Sequence, residues 1–311
     1  GPAVRAAVVR SFDAPPCADE WPEPIAGDGE QVVAVVAAAL HPRVRSQADG
    51  SHYTSSGALP LVPGIDAVVR DADGRLRYAI LDDTDLGTFA ERTVIETRRS
   101  VELPDDVDPV RIAAAMNPLM SSWMALRQRV DVGPEPRVLI LGATGSAGSM
   151  AIQVAKHLGA REVIAAGRDR ARLAELPALG ADRTCPLDDL AAAAEVDVVL
   201  DYLWGEPTAA AMIDVITHRA DRSAPLTWIE AGAIAGAEAA IPAAALRAAR
   251  LQIVGSGIGS VPGRDYLREL PALAAAIVDG PFEIRARTVP LADVEAAWTA
   301  PPDGDRIVLV P

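Results

Sequence analysis

Apolar and polar residues alternate over short runs in the first third of the chain, and turn residues separate the runs. The runs are Val4–Val9, Gln31–Ala37, Ala67–Arg70, Arg77–Leu81 and Arg92–Ile95. Alternation rich in β-branched residues is typical of strands with one buried face. Asp73-Gly74, between the third and fourth runs, favours a hairpin. The first 110 or so residues are therefore predicted to be β-rich, as a partly open barrel.

From Pro109 the apolar spacing becomes helical, and farther on strands alternate with helices. Strands are predicted at Arg137–Leu141, Glu162–Ala166, Val196–Leu200, Leu226–Glu230 and Leu251–Val254, and helices at Ser146–Leu158, Asp169–Leu179 and Pro207–Thr217. Such alternation produces a parallel sheet with right-handed crossovers. The sequence therefore predicts an α/β protein that contains a Rossmann-type, doubly wound parallel sheet.

The tail after Gly263 predicts four more elements. They are a helix at Asp265–Val278, a strand at Phe282–Val289, a helix at Leu291–Trp298 and a strand at Arg306–Val310. A length of 311 residues exceeds what one hydrophobic core usually serves, so we expect two domains.

A glycine-rich turn follows the predicted strand at Arg137–Leu141 and opens a helix. Gly142 lets the chain turn sharply, Gly145 lets the backbone approach a pyrophosphate, and Gly148 lets helix and strand pack closely. The N–H groups at the helix start then face the phosphates. This context predicts a dinucleotide site that contains Gly142, Thr144, Gly145, Ser146, Ala147 and Gly148.

The end of the next strand indicates which dinucleotide is bound. NAD sites usually carry an acidic residue there, whereas this chain has Gly167 and Arg168. A guanidinium can bind a 2′-phosphate, and one such bond is worth about 1.5–3 kcal/mol. Asp169 lies one step into the following helix and is expected to cap it. We predict NADPH; the alternative is that Arg168, Arg170 and Arg172 form a solvated helix face.

Composition narrows the function classes. A formal net charge of −14 disfavours nucleic acid and anionic membrane surfaces as partners. No run reaches the ~18 apolar residues of a membrane span, and no leader sequence is evident, so we expect a cytoplasmic protein.

Cys17 and Cys185 form no Cys-x-x-Cys pair, and Lys156, the single lysine, has no tyrosine four residues before it. These facts exclude a four-cysteine zinc lobe and a Tyr-x-x-x-Lys catalytic pair.

The order of a β-rich domain, a Rossmann domain and a return to the first resembles the medium-chain dehydrogenase/reductase superfamily, and within it the zinc-independent quinone oxidoreductases. The likeness also rests on Leu61–Asp66, Gly87–Arg92, Gly180–Asp182 and Gly255–Gly257. It implies a GroES-like catalytic domain at residues 1–110, completed by 263–311, and a Rossmann NADP-binding domain at 111–262. It also implies a homodimer joined through the strand at Leu251–Val254.

Zinc-containing members of this superfamily carry an early cysteine and a Gly-His-Glu motif. At the matching places this chain has Ala37–Pro42 and Gly64–Asp66, so a tetrahedral zinc site lacks ligands and no metal is expected. The resemblance implies hydride transfer from NADPH to a small molecule, a quinone or a conjugated enone. Two alternatives stay open: a carbonyl or imine reductase of a biosynthetic pathway, and an NADPH-binding protein without turnover.

A metal-free site needs a donor for the acceptor's oxygen and a source of protons. Tyr53 is the first candidate, because relatives in this branch often carry a tyrosine near there, and an exposed loop position is its alternative. His41 is the second, because imidazole both donates and accepts near neutral pH; otherwise it simply ends a strand. Further cofactor contacts are expected after later strands, at Tyr202, Ala231, Gly255 and Ser256.

Overall fold

The computed structural model describes residues 2–52 and 54–311. The chain divides into two compact units: unit 1 is Gly1–Asn117 with Leu270–Pro311, and unit 2 is Pro118–Glu269. Both divisions fall inside helices, at Pro109–Met124 and Gly263–Asp279. The predicted domain ends at 110 and 263 differ, because a change in apolar period marks where a helix begins rather than where a compact unit ends.

The described residues fold into strands and helices, which are numbered in chain order. The strands are β1 (Ala3–Val8), β2 (Cys17–Pro22), β3 (Glu30–Ala39), β4 (Asp66–Arg70), β5 (Leu76–Ile80), β6 (Arg92–Glu96), β7 (Ser100–Glu102), β8 (Arg137–Leu141), β9 (Glu162–Gly167), β10 (Arg183–Pro186), β11 (Val198–Asp201), β12 (Leu226–Glu230), β13 (Leu251–Gly255), β14 (Ala286–Pro290) and β15 (Arg306–Val310). The helices are α1 (Pro42–Ala48), α2 (Pro109–Met124), α3 (Ser146–His157), α4 (Arg170–Leu173), α5 (Gly205–His218), α6 (Ala243–Ala248), α7 (Gly263–Asp279) and α8 (Val294–Thr299). Within this part of the chain, every helix is too short or too polar to cross a bilayer.

Unit 1 is built on a seven-stranded sheet. Its order is β14-β15-β3-β4-β5-β7, with β6 paired to β3, and β1 pairs with β2 apart from it. The long strand β3 is central because it pairs with β4, β6 and β15. A register shift between Val35 and Ala37 marks a bulge, which bends a strand locally. The predicted β-rich fold is confirmed.

Unit 2 is a six-stranded parallel sheet in the order β10-β9-β8-β11-β12-β13. Numbered from β8, this is the doubly wound order 3-2-1-4-5-6. One face packs Ile140, Val163 and Leu200 into a core, and the other face packs Leu139 and Trp228 into a second core. The predicted Rossmann fold is confirmed, and β8 and β12 have the predicted bounds.

The predicted helix at Asp169–Leu179 is wrong as a single element. Helix α4 ends at Leu173, and a separate 3-10 turn covers Leu176–Leu179. Pro177 explains the break, because proline has no N–H to continue a helix.

The predicted strand at Phe282–Val289 is also too long, since β14 begins only at Ala286. The Phe282 carbonyl accepts a hydrogen bond from Arg111 Nη2 at 2.8 Å instead of joining a ladder. Strands β2, β7 and β10 and helices α1 and α6 are not predicted from the sequence. They are short, and β10 has a single fully buried residue, so they carry too little apolar pattern.

The turn between β8 and α3 depends on a close backbone contact. Gly142 has φ +82°, a left-handed conformation that glycine adopts without strain. A Cβ on Gly148 would lie 2.8 Å from the Ala143 Cα and closer still to the Gly142 carbonyl oxygen. The start of α3 can therefore pack against the end of β8 because residue 148 has no side chain.

We expect Gly148→Ala to lower the free energy of unfolding by about 1–3 kcal/mol, because the backbone must shift to relieve the overlap. Alanine is otherwise the better helix former by about 1 kcal/mol, so unchanged or increased stability would contradict the close contact. The urea-unfolding midpoint measures the effect. Gly257→Ala is the control, since a Cβ there meets no atom within 4 Å.

Candidate functional site

The start of α3 presents backbone N–H groups that no side chain caps. Gly145 is the N-cap residue and has no side chain that could accept from them. The Ser149 N–H donates to the Gly145 carbonyl at 2.9 Å. The N–H groups of Ser146, Ala147 and Gly148 precede it, in the first turn, where an anion is favoured. The residues predicted to bind pyrophosphate therefore lie together in one turn.

A groove of about 440 Å³ opens where β9 and β10 end. It is lined by Gly167, Arg168, Arg170, Pro186, Leu187, Asp188, Pro207 and Ala210. The Arg168 side chain is exposed and, among the described residues, forms no hydrogen bond or ion pair. A groove that combines apolar side chains such as Leu187 with an exposed guanidinium suits a nucleoside that carries a phosphate group.

The carboxylate that follows Arg168 is already engaged. Asp169 Oδ1 accepts a hydrogen bond from the Arg172 N–H at 3.1 Å and caps α4. The predicted capping role of Asp169 is confirmed. An exposed guanidinium, rather than a free carboxylate, thus follows Gly167 at the end of β9.

A buried carboxylate fixes the loop after β11. Asp201 Oδ1 accepts from the N–H groups of Leu203 at 2.8 Å and Trp204 at 3.0 Å. Its Oδ2 accepts from the Thr208 hydroxyl at 2.5 Å and from the Trp228 indole N–H at 2.9 Å. These bonds hold Trp204 at φ +55°, a conformation that costs free energy for a residue with a side chain.

Tyr202 points into the interior of unit 2. It is 7% exposed, and its hydroxyl lies 3.4 Å from the Ser121 Oγ. Burial raises the pKa of Tyr202, and hydrogen bonds with Ser121 and Ser122 oppose the shift. The hydroxyl is therefore neutral at physiological pH. The cofactor contact predicted for Tyr202 falls on a buried side chain and stays a prediction.

Ala231 and Ser256 lie directly after β12 and β13, but their N–H groups are already used. The Ala231 N–H donates to the Asp201 carbonyl, and the Ser256 N–H donates to the Glu230 carbonyl, each at 2.8 Å. The N–H groups of these two residues are therefore already engaged, because hydrogen bonding continues one residue beyond each strand, and the cofactor contacts predicted for Ala231 and Ser256 stay predictions. Gly255, whose Cα faces open space, keeps its predicted cofactor role as a prediction.

His41 belongs to a buried chain of hydrogen bonds in unit 1. Its Nε2 lies 2.9 Å from Asp66 Oδ1, and the Tyr78 hydroxyl donates to Asp66 Oδ2 at 2.6 Å. Because an ionised carboxylate only accepts, His41 Nε2 carries a proton. His41 is 1% exposed, and its Nδ1 has no partner in the described part of the chain.

The sequence singled out His41 but missed Asp66 and Tyr78. Asp66 stood in the Gly64–Asp66 segment, which had indicated only that a zinc ligand was missing. Tyr78 lies in a strand that was predicted, and the β4–β5 pairing sets Tyr78 opposite Val68. The alternation of β5, which buries Tyr78, was the available signal.

Tyr53 lies outside the described residues, so its predicted role as a proton donor stays a prediction. The neighbouring His52 places Nδ1 2.7 Å from the Thr54 hydroxyl. His157 ends α3, with its ring 5.8 Å from that of Trp123, and His218 ends α5. His41 is thus the buried histidine among those described.

Potential metal ligands are dispersed. Across residues 2–52 and 54–311, no three histidine, cysteine or acidic side chains are arranged to hold a metal. Cys17 is exposed and Cys185 is buried, and both are free thiols. The Lys156 ammonium pairs with Asp182, at 2.8 and 2.9 Å from its two oxygens.

This chain resembles known proteins, one of them over nearly its full length. The family profile described as zinc-binding dehydrogenase matches residues 147–276. A probable NADPH-dependent quinone reductase, tdiC, of Emericella nidulans is 30% identical over 363 residues, covering 99% of this chain and all of that protein. A chloroplastic NADPH-dependent alkenal/one oxidoreductase of Arabidopsis thaliana is 28% identical over 171 residues, covering 50% of this chain and 44% of that protein.

A solved structure shares the fold. The quinone oxidoreductase of Thermus thermophilus, whose structures include a complex with NADPH, superposes with a TM-score of 0.76 at 25% identity. The match covers 99% of this chain and 100% of that one. Unit 1 has the GroES-like fold and unit 2 the Rossmann fold of that family. The chain therefore belongs to the medium-chain dehydrogenase/reductase superfamily, in its quinone oxidoreductase branch.

Proposed function

We propose that this protein transfers hydride from NADPH to a quinone or a conjugated enone without a metal. The observation that carries the proposal is the Gly142–Gly148 turn, whose uncapped N–H groups suit a pyrophosphate. The unpaired Arg168 in the nearby groove suits the 2′-phosphate that distinguishes NADPH from NADH. The names of the Emericella and Arabidopsis relatives, both NADPH-dependent reductases, support the same cofactor.

NADPH supplies the hydride when bound, and the residues of this chain supply the rest. Hydride addition leaves negative charge on the acceptor's oxygen, which needs hydrogen-bond donors and a proton. His41 and Tyr53 are the proposed donors. Asp66 occupies His41 Nε2, so a protonated His41 has its Nδ1–H left for this purpose.

The donor set near His41 supports a route without a metal. Asp66 is a possible ligand there, but both of its oxygens accept hydrogen bonds, from His41 and from Tyr78. A zinc ion also needs about three protein ligands, and Ile65 stands where zinc-containing relatives have histidine.

A homodimer and a cytoplasmic location are further parts of this proposal, which rest on the resemblance and the composition.

We expect Arg168→Ala to raise the Michaelis constant for NADPH at least tenfold and to leave the Michaelis constant for NADH nearly unchanged. The reason is that one charge-assisted hydrogen bond changes affinity by about ten- to a hundredfold. Steady-state kinetics with both cofactors measure this. Arg172→Ala is the matched control, because it removes the same charge four residues further along the chain, in α4 and outside the residues that line the groove. Equal losses with NADPH and NADH would refute the assignment.

The acceptor class is tested by following NADPH absorbance with 1,4-benzoquinone, 2-cyclohexenone, cyclohexanone and a cyclic imine. We expect turnover with the first two and an unchanged rate after EDTA treatment, because hydride addition to them needs donors rather than a metal. Loss of activity under chelation would contradict the metal-free route. Turnover confined to the ketone or imine would make the protein a carbonyl or imine reductase. NADPH binding without any oxidation would leave it a binding protein.

A further inference from the structure

Helix α1 and its N-cap residue carry a group of buried polar atoms that have no partner in the described part of the chain. Among the described residues, five buried side-chain nitrogen or oxygen atoms lack a hydrogen bond, and three of them are His41 Nδ1, Arg43 Nη1 and Gln47 Nε2. Buried polar groups are normally paired, because an unpaired one forfeits its hydration without compensation. Three such atoms within one short segment are available to donate to a polar ligand.

Gln47 presents a donor whose orientation is fixed. The side chain is 5% exposed, and its Oε1 accepts a hydrogen bond from the Gly64 N–H at 2.8 Å. If the amide were flipped, its NH₂ group would face the Gly64 N–H and two donors would meet. Nε2 is therefore the atom without a partner among residues 2–52 and 54–311. It donates in every protonation state of the protein.

Arg43 presents a second permanent donor. Its Nη2 donates to Asp83 Oδ1 at 2.9 Å and lies 3.4 Å from the Thr54 hydroxyl. Asp83 therefore holds one side of the guanidinium and leaves Nη1 free among the described residues. Arg43 and Gln47 are four residues apart in α1, a spacing that sets side chains on the same face of a helix.

His41 adds a donor that can give up its proton. It is the N-cap residue of α1, and its Nε2 is taken by Asp66. The two other arginines near this segment are engaged elsewhere: Arg45 Nη1 donates to the Trp298 carbonyl at 2.9 Å, and Arg306 Nη1 to the Leu40 carbonyl at 3.2 Å. The unpaired group thus consists of two permanent donors and one exchangeable donor.

We propose that Arg43 Nη1 and Gln47 Nε2 bind the oxygen of the acceptor substrate, and that His41 Nδ1 gives this oxygen its proton. The inference rests on the proposed function and names the part of unit 1 that recognises the substrate. Its ligand is a quinone or enone carbonyl oxygen, including the oxyanion that this oxygen becomes. Because all three atoms donate when His41 is protonated, the group suits an anionic oxygen and disfavours a cation.

In the proposed step, the hydride of NADPH forms a bond to the electrophilic carbon of the acceptor and leaves NADP⁺. The π electrons of the conjugated system move to the oxygen. That oxygen takes the proton from the protonated His41, which is left neutral with its Nε2–H on Asp66. His41 then regains a proton from water, so each turnover consumes one NADPH, one acceptor and one proton.

Gln47→Glu tests the inference, because Glu retains an oxygen for the Gly64 N–H and loses the donor. With the NADP⁺-loaded protein, 4-nitrophenolate serves as the probe for an anionic oxygen, and its absorbance reports binding. We expect its affinity to fall at least tenfold. Turnover of 2-cyclohexenone should fall about a hundredfold, the usual effect of removing one oxyanion donor, while the affinity for NADPH stays unchanged.

Two further variants exclude simpler explanations. Gln47→Met, whose side chain has neither a donor nor a charge, should show the same losses of probe affinity and turnover. If it binds the probe like the wild type, the loss in Gln47→Glu is due to charge repulsion and the inference is overturned. Arg43→Lys retains a cation for Asp83 but removes the donor Nη1. It should also lower the affinity for 4-nitrophenolate at least tenfold. Gln31→Glu is the control, since the Gln31 amide donates to the Thr97 hydroxyl at 2.9 Å elsewhere in unit 1.

The inference and the proposed function fail in different ways. If folded Gln47 and Arg43 variants bind 4-nitrophenolate and reduce 2-cyclohexenone like the wild type, the oxygen site is refuted and the reductase proposal stands. If the wild type oxidises no NADPH with any acceptor, the reductase proposal fails. Loss of probe binding in the variants would still support the oxygen site in that case.

Discussion

The proposed nucleotide site depends on one close contact between two stretches of backbone. Gly148 lies against the carbonyl of Gly142 and the Cα of Ala143, with no room for a side chain. This contact brings the first turn of α3 directly to the end of β8, so that its uncapped N–H groups sit at the carboxyl edge of the sheet. The strand order then places β9, and with it Gly167 and Arg168, immediately beside that edge. The turn proposed to bind phosphate thus follows from this contact, and the neighbouring guanidinium follows from the strand order.

Features that depend on residues close in sequence were predictable. The glycine turn occupies seven consecutive positions, Asp169 caps a helix that begins at the next residue, and β8 and β12 carry uninterrupted apolar runs. Each of these is decided by local backbone geometry and by the burial of one short segment. Sequence periodicity reports both directly.

Features that depend on strand pairing were not predictable. Asp66 forms a hydrogen bond with His41, 25 residues away in the sequence, and Trp228 forms one with Asp201, 27 residues away. The N–H groups of Ala231 and Ser256 have partners for a related reason, since each ladder runs one residue beyond its strand. In each case the partner is chosen by the register of a neighbouring strand, and a single sequence does not specify that register.

Asp201 shows how tightly one position can be constrained. Its two oxygens receive four donors, which come from the adjoining loop, from α5 and from β12. Asparagine would turn an NH₂ group toward two of those donors, and glutamate would carry an extra methylene into space that is already filled. Leu203 and Trp204 donate through their backbone N–H groups, so a change of either side chain leaves these bonds in place, whereas residue 201 has no close substitute.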